Sequence, residues 1–134
     1  SGPLKDRIDL QIEVLPLKKE EIFLKGSNNK KVDYKKKIKR AREMQAQRYH
    51  RLNLKNNSEL QLEDIEKFCY LEKSAQKIVQ QAYQELQLSV RGYIRLMRVA
   101  RTIADLNSNT QITSSDLIEA VDFRWYAEKS EMLL

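Results

Sequence analysis

Apolar and polar residues alternate along "IDLQIEV", Ile8 to Val14, just before Pro16. A period of two that stops at a proline predicts a β-strand with one buried face. Beyond residue 33 the period becomes helical. "DYKKKIKRAREMQAQRY", Asp33 to Tyr49, reads as a long helix started by Asp33, with a thin apolar face of Ile38, Ala41, Met44 and Ala46. Such a helix needs a partner to be stable. "LQLEDIEKFCYL" predicts a short helix, and "EKSAQKIVQQAYQELQL" a longer one whose Ile78, Val79, Ala82 and Leu86 share a face. The next, capped by Ser89, carries Tyr93, Met97, Ala100 and Ala104 on its apolar side. "LNSNTQI" breaks the pattern, and Thr113 with Asp116 three residues on restarts it as a capping box with Asp in place of Glu. The end of the chain, to Leu134, is expected to fray.

The loop formers of "KGSNNK", 25 to 30, place a domain boundary between residues 1–25 and 26–134, and "LKNNSE", 54 to 59, reads as another loop. The expected fold class is mainly α, four to five helices preceded by one orphan strand. A lone strand needs neighbours for its backbone hydrogen bonds. It is therefore expected either to belong to a larger sheet or to pair with a second copy.

Composition supports a helical reading, since 134 residues are about one domain's worth and hold only three Gly and two Pro. The chain has no apolar run of about 18 residues and does not start in the order of a signal peptide, so a cytoplasmic protein with no membrane partner is expected. Cys69 and His50 are each the only residue of their kind, which excludes an internal disulfide and a Cys/His zinc site. Cys69 is expected to be a small buried apolar residue and His50 to be solvated.

Charge changes the picture more. Lys30 to Arg51 carries ten basic residues against Asp33 and Glu43, a local +8 that leaves −2 for the rest of a chain whose total is +6. The basic character is local, either an anion-binding face or a solvated helix.

The usual catalytic constellations are missing. Gly2, Gly26 and Gly92 are the only glycines and none sits in a phosphate-cradling G-x-x-x-x-G-K-[ST] loop. A serine triad would have to use His50, with no nucleophile elbow at hand, and no pair of carboxylates stands out. By itself the chain is not expected to be an enzyme.

What remains is arginine. Arg91, Arg95, Arg98 and Arg101 follow one another by three or four residues, a single helical stripe nearly opposite the apolar side, and Arg7 sits just before the strand. A guanidinium is planar, permanently charged and able to hold two phosphate oxygens at once. The alternatives stay open at this point: Arg7 paired with Asp6 or Asp9, and Arg91 simply solvated.

Three stretches together carry a resemblance: "SGPLKDRIDLQIEV", "KIKRAREMQAQR" and "SVRGYIRLMRVARTIADLNSNTQITSSDLIEAVDFR". They resemble the C-terminal part of magnesium-chelatase-like AAA+ ATPases of the ComM or YifB type, whose members read G-P-L-L-D-R-I-D, then A-R-x-x-Q-x-x-R, then S-x-R followed by V-A-R-T-I-A-D-L. Lys5 stands where leucine is usual and Gln11 where histidine is. The resemblance implies that residues 1–25 end an α/β core, that 26–134 form its helical lid, and that the nucleotide-binding Walker motifs lie upstream. It implies a role for Arg7 as an arginine finger reaching into the next subunit's ATP site. Such a finger contributes roughly 10³-fold or more in rate. It implies a sensor 2 role for Arg91, reading the γ-phosphate from the lid. Arg95, Arg98 and Arg101 are then expected to support subunit packing or to pair with acidic neighbours such as Asp105.

The function implied is a ring-forming motor, expected to be a hexamer of self-copies. ATP and Mg²⁺ would bind in the whole protein, and the motor would remodel DNA by branch migration in transformation and recombination. The basic helix would meet DNA through Lys35, Lys36, Lys37, Lys39 and Arg40. The alternatives are an ATPase subunit of a magnesium chelatase and a free-standing helical interaction module.

Overall fold

The computed structural model describes residues 4, 7–23 and 33–132, with side chains to Arg124. A short helix α1 (Lys19–Phe23) precedes α2 (Tyr34–Arg48), a single 3₁₀ turn (Asn57–Glu59), α3 (Leu62–Phe68), α4 (Lys73–Glu85), α5 (Val90–Leu106) and α6 (Ser114–Met132). The mainly helical fold expected from the pattern is the one observed. The boundary segment "KGSNNK" lies outside the described residues.

Local chemistry sets the helix starts. Asp33 accepts the Lys36 amide at 3.2 Å and Ser89 accepts the Gly92 amide at 3.0 Å. At α6 the capping box is reciprocal: the Thr113 amide donates to Asp116 at 3.0 Å, and the Asp116 amide donates to Thr113 Oγ1 at 3.2 Å. Asp116 also accepts from Asn107 at 2.7 Å and Asn109 at 2.9 Å. Burial opposes its ionisation, but the bonds from Asn109, Asn107 and Thr113 outweigh that and hold its carboxyl below the usual range.

Helix α5 is the central element, packed most extensively against α6 and also against α2, α3 and the 3₁₀ turn, while α4 packs on α6. Its Leu96, Met97, Ala100 and Ala104 are fully buried with Leu117 and Ala120 of α6 and Leu60 and Ala75. The α3–α4 and α5–α6 linkers are tied together, since Ile112 donates to Tyr70 O at 2.7 Å and accepts from the Glu72 amide at 2.9 Å. Cys69 is buried as expected, and burial pushes its thiol up to about 12.

Two expectations change. Residues 8–18 form no strand among the described residues; they run without regular structure beside the helices, with the Gln11 amide donating to Phe123 O at 3.0 Å. The apolar side of the expected strand stays open, Ile12 at 70% and Val14 at 82% exposure. Among the described residues no neighbouring strand completes a ladder, so alternation alone does not make one. Helix α2, for its part, buries only part of the face read from its apolar residues: Ala41 is buried and Met44 half-buried. Ile38 and Ala46 are exposed, and Ala41, Gln45 and Tyr49 are turned inward.

Candidate functional site

The inward face of α2 is polar because it meets a polar partner. Arg48 grips Asp105 of α5 with both terminal nitrogens, at 3.0 and 2.5 Å, and Asp105 takes a further bond from Asn57 at 2.9 Å. Arg101 lies 3.1 Å from the same carboxylate, with both side chains fully buried. Asn57 completes the knot: its amide donates to Gln45 Oε1 at 2.9 Å, and its side-chain oxygen accepts the Tyr49 hydroxyl at 2.6 Å. Burial lowers the affinity of Arg48 for its proton, but the bonds and charge of Asp105 outweigh that and raise it.

This knot assigns Gln45, Arg48, Arg101 and Asp105 to architecture. Arg101, the last arginine of the stripe inferred from spacing, is fully buried. It donates to Thr110 O at 2.9 Å and Asn109 O at 2.6 Å, stitching the α5–α6 loop to the core, and it does pair with Asp105 as expected. Arg98 is similarly engaged by its backbone partner, donating to Leu60 O at 2.8 and 2.5 Å.

The other arginines converge elsewhere. A pocket of about 350 Å³ is lined by Arg7, Gln61, Arg91, Ile94, Arg95 and Arg98. It brings together Arg7 and Arg91, 84 residues apart in sequence. Neither guanidinium has a hydrogen-bond or ion-pair partner among the described residues, whereas Arg95 is paired with Asp9. Four cations around one pocket repel one another. Burial, and after it the charge of Arg95, lower the proton affinity of Arg98.

The framework of this pocket favours an anion. Arg91 stands in the first turn of α5, where the backbone amides carry partial positive charge and no acidic residue offsets it. Gly92 lets that turn approach α6: a Cβ there would lie 3.2 Å from Nη2 of the buried Arg124. Gly92 and Arg124 are positioning features missed by the sequence reading. The isolated Gly in a helical run is the signal that could have marked a close approach. No lining residue is a carboxylate, so the pocket fits phosphate oxygens, while Mg²⁺ would have to arrive with a triphosphate.

The five basic residues singled out on α2 form a different surface. Lys35, Lys36, Lys37, Lys39 and Arg40 are all exposed. Lys36 lies 3.7 Å from Asp33, and Arg40 donates to Ser108 Oγ at 3.2 Å.

Residues 28–124 match the family model described as magnesium chelatase, subunit ChlI C-terminal. The chain is 36% identical over 125 residues to competence protein ComM of Haemophilus influenzae. It is 38% identical over 128 residues to YifB, an uncharacterized protein of Escherichia coli. The uncharacterized protein Rv2897c of Mycobacterium tuberculosis is 28% identical over 124 residues. Each match covers 92% of this chain and 24% of the relative, so the chain spans about a quarter of the length of the curated relatives it matches.

Proposed function

Since this chain belongs to the magnesium-chelatase-like family of the ComM and YifB type, we propose that it serves a ring-forming AAA+ ATPase that remodels DNA. Its helical body is the lid portion of an AAA+-like protein. The observation that carries the finer reading is the pocket on which Arg7 and Arg91 open together, neither with a partner among the described residues. A site with that much uncompensated charge is suited to the triphosphate of ATP. In the proposed ring Arg7 is the finger offered to a neighbouring subunit's nucleotide, and Arg91 reads the γ-phosphate beside it. Their shared pocket means that one nucleotide meets both.

The test uses the whole protein. Arg7→Ala should lower ATP turnover roughly 10³-fold, with binding of ATP retained. If Arg7 acts across a subunit boundary, mixing that variant with subunits unable to bind ATP should restore part of the activity. Wild-type turnover in Arg7→Ala would remove the finger role.

DNA remodelling draws support from the relative called a competence protein and from the basic face of α2. A metal-chelatase subunit is the second reading, favoured by the family model's own description. No helix among the described residues is long and apolar enough to cross a membrane.

A further inference from the structure

Of the four arginines around the pocket, Arg98 is fixed by Leu60 O, and Arg7 and Arg91 have no partner among the described residues. Arg95 is different: its guanidinium lines the pocket and is held by a carboxylate from outside the helices, that of Asp9. Asp9 lies two residues from Gln11, whose amide bond to Phe123 O is the backbone tie between this stretch and α6. The ion pair is also accessible, with the Arg95 side chain 25% and the Asp9 side chain 54% exposed. An exposed pair of this kind contributes little stability and exchanges partners readily. A phosphate in the pocket offers Arg95 more negative charge than one carboxylate, and with bidentate geometry.

We propose that Asp9 stands in for a phosphate oxygen on Arg95, and that a polyphosphate entering the pocket takes Arg95 from Asp9 and loosens the 8–14 stretch from the helical body. This rests on the phosphate-pocket reading above and extends it in two ways. It adds Arg95 as a third phosphate contact, and it links occupancy of the pocket to the position of the chain segment that carries Arg7. The balance is simple electrostatics: one guanidinium, two competing anions, and release of the weaker one when the stronger arrives. Occupancy of the pocket thereby becomes a movement at the joint between the segment and the lid.

The probe is inorganic tripolyphosphate, titrated into this chain against chloride of matched ionic strength so that general screening is subtracted. Binding is followed by calorimetry and the Gln11 amide by hydrogen exchange. Arg95→Gln should weaken binding roughly tenfold, the order of one charge-assisted contact. Asp9→Asn should strengthen it by about threefold to fivefold, because the competitor is gone. Glu13→Gln removes the same charge four residues along and should change affinity little. In the wild type, tripolyphosphate should speed exchange at Gln11, and in Asp9→Asn that amide should exchange fast without any anion. If Arg91→Gln abolishes binding while Arg95→Gln and Asp9→Asn bind as the wild type does, the pocket reading survives and this inference fails. If the wild type binds no tripolyphosphate above the chloride control, the pocket reading itself falls and takes the inference with it.

Discussion

One buried and one half-buried guanidinium share a single carboxylate at Asp105, which is held between Arg101 and Arg48. Asp105→Asn keeps the shape and removes the charge. Arg101, with no exposure to water, would then be an uncompensated buried cation. The expected cost is about 3–5 kcal/mol, a large fraction of the whole stability of a domain this size. Urea unfolding monitored by circular dichroism measures it, and a loss below about 1 kcal/mol would mean that the knot behaves as a surface pair. At this scale the sequence was partly legible. The spacing of Arg91, Arg95, Arg98 and Arg101 placed them on one helix correctly, yet they have four different fates. What separates them is the position of carbonyls and carboxylates in other segments, Leu60, Asn109, Thr110 and Asp9 among them. Spacing along a helix carries no information about those.

Helix starts were legible because the capping side chain and the amide it satisfies are three residues apart, as at Asp33, Ser89 and Thr113. Helix ends were less so. Glycine usually takes the left-handed position after a helix, but here Gln87 at φ 46° and Ser108 at φ 59° occupy it. After α4 the amide of Leu88 returns to Tyr83 O at 3.2 Å and that of Gln87 to Gln84 O at 3.3 Å. That is a complete Schellman stop built around a residue with a Cβ. Gln87 is exposed, so its side chain contributes no burial to set against the strain. Gln87→Gly should therefore stabilise the chain by about 0.5–1 kcal/mol. A rise in the thermal midpoint checks this, and a fall would show that backbone entropy outweighs the relieved strain. The unformed strand at 8–14 illustrates the opposite limit. Its alternation is real, but a strand is completed by partners, and the described residues supply only the bond from Gln11.

The molecule keeps its two basic features on separate elements. The arginine pocket belongs to α5 and the segment at Arg7, whereas Lys35, Lys36, Lys37, Lys39 and Arg40 stand exposed on α2. Helix α2 is anchored through Ala41, Gln45 and Arg48, which leaves the four lysines outside the packing, while Arg40 adds one exposed bond to Ser108 Oγ. Changing all five to glutamine should leave the fold and tripolyphosphate binding intact. If DNA lies along α2, the same change should weaken binding to a four-way junction and flatten its salt dependence. Each lost phosphate contact removes about 0.9 from the slope of log K against log salt, so five remove roughly 4.5. Fluorescence anisotropy over a salt series measures both quantities, and Arg91→Gln provides the reciprocal control, with DNA affinity kept and tripolyphosphate binding lost. Equal loss of DNA binding in the two variants would place DNA on the arginine pocket instead. No binding at low salt would make the α2 face a solvated one. DNA contact would then have to come from outside this chain, and the chelatase reading would gain by it.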